Sequence, residues 1–115
     1  MKLRINQNSI RLRLTPEEVD TLTSEGTIVS SCLLLNASLE YVLQTADQWS
    51  AETSGSRIKI SIPETEVRGW HENNKVGFEH HFENGLLLLI EKDFQCLHPR
   101  KHENEDHLYP NPEQA

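Results

Sequence analysis

The chain has 115 residues, of which 36% are hydrophobic and 25% charged, and its formal net charge is −7 at pH 7. This length is typical of a single domain with a modest core. The acidic balance disfavours nucleic acid and anionic membranes as partners, because both carry negative charge themselves. Two cysteines are too few for a disulfide framework, and the N-terminal stretch lacks the continuous apolar segment of a signal peptide. We therefore expect a cytoplasmic protein with reduced thiols.

The N-terminal stretch KLRINQNSIRLRL predicts a β-hairpin. Apolar and basic side chains alternate along it, as they do in half-buried strands. We expect a strand from Lys2 to Asn6 that pairs with a strand from Ile10 to Leu14. The outward positions of this hairpin carry four cations and no acid, namely Lys2, Arg4, Arg11 and Arg13.

This basic hairpin is the clearest charge asymmetry in the chain, and two interpretations of it remain open. It could bind an anionic ligand or an acidic peptide, with Arg4, Arg11 and Arg13 as the ligand-binding residues. Alternatively, the cations could protect a sheet edge or pair with acids across strands. The acids that we consider for such pairing are Glu40, Glu91 and Asp93.

A short helix and two strands should follow the hairpin. Thr15 is a favourable N-cap, Pro16 suits the first helical position, and acids occupy the first turn. Gly26 is expected to end this helix. Strands are then predicted over residues 27–35 and 39–45, before a polar loop from Asp47 to Ser56.

The second half of the chain has the same order of signals. A strand over residues 58–62 leads into a helix that opens at Pro63 and ends at Asn73-Asn74. Strands over residues 75–82 and 86–92 follow, joined by the strong turn signal Asn84-Gly85. Trp70 on the second helix is most simply a core residue.

A shift of 48 positions aligns the two halves without a gap, over about residues 9–46 and 57–94. The segment from Ile10 to Ile28 then matches the segment from Ile58 to Val76. This register favours a duplicated β-α-β-β unit, although two amphipathic strand–helix units can also look alike by chance. We therefore predict an α+β domain with pseudo-two-fold symmetry. Its strands would form a curved antiparallel sheet or a small β-barrel, with two short helices.

Two resemblances refine this prediction. The segment RIKISIPETEVRGW resembles the strand–proline–helix unit of swapped-hairpin and cradle-loop barrels, some of which bind DNA. The acidic balance argues against DNA binding here. The segments MKLRINQNSIRLRLT and LLLLIEKDFQCLHPR…YPNP resemble a small bacterial family of unknown function. That resemblance implies a bacterial cytoplasmic protein and no particular activity.

The C-terminal part offers a candidate metal site. We expect one domain over residues 1–98 and an extended tail, 99–115, packed on the domain or on a partner. Cysteine and imidazole are zinc-type ligands, but their spacing here matches no strong zinc motif. The simpler alternative is a buried cysteine followed by solvated histidines. The candidate metal ligands are Cys96, His98, His102 and His107.

Two weaker features complete the candidates. The repeat aligns Cys32 with His80, so a pair between them is conceivable near the pseudo-two-fold axis. The run from Leu86 to Ile90 is apolar on both faces, which favours a covering helix or a homodimer.

The function that we expect is a small non-catalytic binding or assembly module without a cofactor. Its partner would be a small anion, a protein or a second copy. The alternative is a zinc-binding protein, with or without enzymatic activity.

Overall fold

The structure, a computed structural model that describes residues 1–94, contains two four-stranded sheets and short helices. The first sheet has the order β1 (Lys2–Asn6), β2 (Ser9–Leu14), β8 (Leu87–Lys92) and β7 (Gly77–His81). The second has the order β3 (Thr27–Leu33), β4 (Ser38–Ala46), β6 (Arg57–Pro63) and β5 (Ser50–Ser54). The helices are α1 (Pro16–Glu25), α2 (Glu64–Val67) and a 3-10 helix (Trp70–Glu72).

The α+β class is confirmed, but the predictions of an antiparallel sheet and of a barrel are wrong. Both sheets are mixed, because their central pairs, β2–β8 and β4–β6, are parallel. Hairpins supply the outer pairs of each sheet, and these are antiparallel. No ladder among residues 1–94 joins an edge of one sheet to the other, so the described strands form no closed barrel.

The loop predicted from Asp47 to Ser56 contains a strand that the sequence did not reveal. Residues Ser50–Ser54 form β5 and pair antiparallel with β6. The sequence SAETS lacks the alternation of apolar and polar residues that marks a half-buried strand. It is a strand because β6 offers a free edge beside it.

The first helix has the predicted ends. Thr15 accepts a hydrogen bond from the Glu18 N–H at 3.2 Å, and Glu18 accepts one from the Thr15 N–H at 2.9 Å. This reciprocal capping box satisfies two backbone donors that the helix leaves free. Gly26 ends the helix in the left-handed conformation, with φ of 81°, and donates its N–H to Leu22 O at 3.0 Å.

The second helix is shorter than predicted. It ends at Val67, and the chain continues through Gly69, with φ of 77°, into the 3-10 helix. The expected end at Asn73-Asn74 therefore applies to the 3-10 helix, whose cap is Asn73. Within residues 1–94, no helix is long and apolar enough to cross a membrane.

One apolar core joins both sheets and the helices. Trp70 is fully buried in it, as predicted, and donates its indole N–H to Lys75 O at 2.8 Å. Its ring meets Phe78 edge-to-face at 4.8 Å, a favourable aromatic geometry. The cluster consists of Leu12, Leu14, Val19, Leu22, Ile28, Leu43, Ile60, Ile62, Val67, Trp70, Phe78, Leu88 and Ile90.

The substitution Thr15→Ala should lower the free energy of unfolding by about 1 kcal/mol, because the N-cap acceptor is lost. Thr23→Ala is the matched control. The Thr23 hydroxyl bonds only the Asp20 carbonyl within the same helix, and alanine is the better helix former. Urea unfolding of the three proteins measures the difference. Equal losses for both variants would contradict a stabilising cap.

Candidate functional site: the basic face of the first sheet

The basic hairpin lies at one end of the first sheet, where β1 is an edge strand. Its cations directly face one another across the two strands: Lys2 lies opposite Arg13, and Arg4 lies opposite Arg11. Like charges in such positions destabilise a strand pair. We call the surface formed by Lys2, Arg4, Arg11 and Arg13 the basic face.

Two carboxylates from the C-terminal strand region partly neutralise this face. Glu91 Oε1 lies 3.4 Å from Arg11 Nε and 3.7 Å from Arg13 Nε. Asp93 Oδ2 lies 2.9 Å from Lys2 Nζ. Pairing with Glu91 and Asp93, which the sequence suggested as one alternative, is thus present. The third suggested acid, Glu40, lies in the other sheet and pairs with Arg57.

The parallel pairing of β2 with β8 is what brings these acids to the basic face. In this register Arg13 lies beside Glu91, and Gly77 of β7 flanks Glu91 on its other side. A Cβ atom at Gly77 would lie 2.3 Å from Ile90 O and 2.8 Å from Glu91 Cα. The glycine therefore permits a close approach of β7 to β8 at this point.

Hydrogen bonding on the basic face is incomplete within residues 1–94. Arg11 Nε is buried and donates no hydrogen bond there, although Glu91 is close enough for an ion pair. Arg4 forms no ion pair with the described residues. Shallow depressions of about 330 and 140 Å³ adjoin these groups, lined by Lys2, Leu3, Arg4, Asn6, Ser9, Arg11 and Arg13.

The ion pair with Lys2 changes the titration of Asp93. The Lys2 ammonium donates to the carboxylate and, together with the nearby charge of Arg13, holds the pKa of Asp93 below its usual value. A lowered pKa in the folded state stabilises the fold above the ordinary pKa of aspartate, which is about 3.9. That contribution disappears as the pH falls through the lowered value.

A second feature, an aromatic groove between the sheets, escaped the sequence analysis. Trp49, just before β5, stacks on His80 of β7 with centroids 4.7 Å apart and ring planes 9° apart. His80 also meets Phe82 edge-to-face at 4.7 Å. The groove beside these rings is rimmed by Glu52 and Glu83. Because Trp49 and His80 lie far apart in the sequence, no local spacing indicates their contact.

A third depression, of about 290 Å³, lies beside α1. Leu14, Pro16 and Val19 are among the residues that line it. The polar residues that line this depression are Asp20, His71, Lys92 and Asp93. None of the four cations of the basic face lines it. Phe94, the last described residue, also lines it.

The structure does not test the predicted metal site. Cys96, His98, His102 and His107 lie outside the described residues, as does the predicted tail, 99–115. Within residues 1–94, no cluster of three or more His, Cys, Asp or Glu side chains could hold a metal ion. Cys32 is exposed on β3, and His80 is half-buried against Trp49.

The fold and the basic face define a small α+β protein built from two mixed sheets, with one strongly basic hairpin. The chain belongs to a family of unknown function, DUF7009, whose model matches residues 1–113. This confirms the resemblance to such a family, while the bacterial origin and cytoplasmic location that it implied stay predictions. Comparison with curated proteins and with solved structures found no match.

The substitution Lys2→Met should raise the pKa of Asp93 towards its ordinary value, because the ammonium donor is removed. A carbon-detected NMR titration of the Asp93 carboxylate measures this shift. Lys59→Met, in the second sheet, is the control and should leave the Asp93 pKa unchanged. An unchanged pKa in Lys2→Met would refute the ion pair in solution.

Proposed function

We propose that this protein is a non-catalytic binding module whose basic face binds a small anionic ligand. The observation that carries the proposal is the direct opposition of Lys2 to Arg13 and of Arg4 to Arg11. Two like-charged pairs side by side cost stability unless counterions neutralise them. Glu91 and Asp93 supply only part of the negative charge that the four cations need, which leaves room for a further counterion. A bound anion bearing phosphate or carboxylate groups would supply that counterion.

The charge balance supports this proposal. The ion pairs formed by the four cations within residues 1–94 involve two carboxylates, those of Glu91 and Asp93. The basic face therefore has a local surplus of positive charge on a chain whose formal net charge is −7. A small anion would be attracted to this local surplus of positive charge.

The chemistry of the side chains fits binding better than catalysis. Guanidinium groups present several N–H donors in a planar fork that matches carboxylate and phosphate oxygens. They are hydrogen-bond donors without an acceptor, so they are suited to holding an anion. Within residues 1–94, the buried Nε of Arg11 has no hydrogen-bond partner, and Arg4 takes part in no ion pair.

We further propose that the two halves arose by duplication. The hairpin of the second sheet can then be compared with the hairpin that carries the basic face. The β5–β6 hairpin has the same register as β1–β2 at a shift of 48 positions: Ser50 lies opposite Ser61, as Lys2 lies opposite Arg13. Likewise, Glu52 lies opposite Lys59 where the first hairpin has Arg4 opposite Arg11.

The two hairpins show which charges the hairpin fold requires and which it does not. The same hairpin geometry forms in the second sheet with a neutral pair and an oppositely charged pair. Four cations are therefore not required to build it. Their presence on the first hairpin, at some cost to stability, is what a binding role explains.

Inorganic pyrophosphate is a suitable first probe, and Arg4→Gln should weaken its binding about tenfold or more, because a charge-assisted hydrogen bond is lost. Arg68→Gln is the matched control, since Arg68 is exposed and pairs with Glu64 after α2. Isothermal titration calorimetry measures the affinity of the wild type and of both variants for pyrophosphate. The affinity of the wild type should fall as the salt concentration rises. Absent binding by the wild type, or equal losses in the two variants, would refute the proposal.

The substitution Glu91→Gln should act in the opposite direction. It removes the carboxylate between Arg11 and Arg13, so pyrophosphate should bind more tightly while the unliganded protein becomes less stable in low salt. Thermal unfolding with and without pyrophosphate measures both effects. Weaker binding by this variant would contradict an anion site between the arginines.

A further inference from the structure

The four edge strands of the described sheets differ in how they are protected against pairing with another strand. Three of them carry charged side chains: β1 has Lys2 and Arg4, β5 has Glu52, and β7 has Glu79. The fourth, β3, has the sequence TIVSSCL, without charge or proline. It pairs with β4 over seven consecutive residues, so no bulge interrupts this edge. Soluble proteins usually protect edge strands by such devices, because unpaired N–H and C=O groups attract another strand.

The same edge carries most of the exposed apolar side chains of the described part of the chain. Val29 and Leu33 are 55% and 85% exposed, and Leu34 and Leu35 in the turn that follows are 50% exposed and fully exposed. Four of the seven large hydrophobic residues that are exposed within residues 1–94 thus lie between Val29 and Leu35. A cluster of exposed apolar side chains at a sheet edge that no other strand within residues 1–94 covers indicates an interaction surface.

We propose that β3 pairs antiparallel with β3 of a second copy of this chain. The second sheet of each copy contains β3 at its edge. The second sheets of the two copies would then join into one continuous sheet across the dimer. Successive side chains on a strand point to opposite faces, so Val29, Ser31 and Leu33 share the outer face. Pairing centred on Ser31 places Val29 opposite the partner's Leu33, and Leu33 opposite the partner's Val29.

This self-complementarity is the reason to prefer a second copy over a different partner. An interface with two-fold symmetry must match its own pattern in reverse, and an uncharged strand with apolar residues on either side of a central serine does so. The chain's negative charge opposes association, but it is neutralised near this edge. Glu40, which lies opposite Ser31 in β4, accepts hydrogen bonds from Arg57 at 2.6 and 2.9 Å.

The oligomeric state tests the proposal through Val29→Lys, which places a charge on the open edge. The wild type should sediment as a dimer and Val29→Lys as a monomer of half the mass. Ile5→Lys is the matched control, because Ile5 is 56% exposed on the edge strand β1, and it should remain dimeric. Val29→Lys should still bind pyrophosphate, since the basic face lies in the other sheet; this result also shows that the variant is folded.

Disulfide trapping tests the register. In a chain whose Cys32 and Cys96 are both replaced by serine, Ser31→Cys should form a covalent dimer on oxidation, because two cysteines directly opposite each other are within disulfide reach. Val29→Cys in the same background should not, since it faces the partner's Leu33. A monomeric wild type, or a dimer that Val29→Lys leaves intact, overturns the proposal. So does a monomer that cosediments with phosphatidylcholine vesicles, which would assign the apolar edge to lipid.

Discussion

The parallel pairing of β2 with β8 is the constraint on which the candidate site depends. It places a strand from the start of the chain beside a strand from the end of the described residues. Through this pair, Glu91 reaches Arg11 and Arg13, and Asp93 reaches Lys2. The same pair contributes Leu12, Leu14, Leu88 and Ile90 to the core, so the strand that carries Arg11 and Arg13 is fully buried on its opposite face at Leu12 and Leu14. The positions of Arg11, Arg13 and Glu91 are therefore set by a strand pair that is anchored in the core.

Local signals in the sequence predicted local structure well. The alternation in KLRIN and SIRLRL predicted both strands of the first hairpin, and Thr15, Pro16 and Gly26 predicted both ends of α1. The parallel pairs were not predictable in this way, because alternation shows that a residue run is a strand and not which strand it joins. β5 was missed for a related reason. Its sequence has little strand character, and the free edge of β6 determines its conformation.

In the candidate site, too, local features were predictable from the sequence and contacts between distant strands were not. Alternation alone placed the cations of the first hairpin on one face, and the structure confirms that arrangement. The sequence also supplied Glu91 and Asp93 as possible partners, but only the strand register shows that these two acids, and not Glu40, are the ones in contact. The stack of Trp49 on His80 could not be found from sequence, since it joins a loop before β5 to β7, far away in the chain.

The two sheets present different surfaces, and this difference argues for a division of roles. The first sheet has an edge that repels other strands through its cations, yet those same cations attract small anions. The second sheet has the equivalent hairpin without the surplus charge, and its opposite edge, β3, is uncharged and apolar. A dimer formed through β3 would join the second sheets of two copies, whereas the basic face of each copy lies in its first sheet. Ligand binding and self-association then involve separate residues of one scaffold, so a change in either surface leaves the other intact.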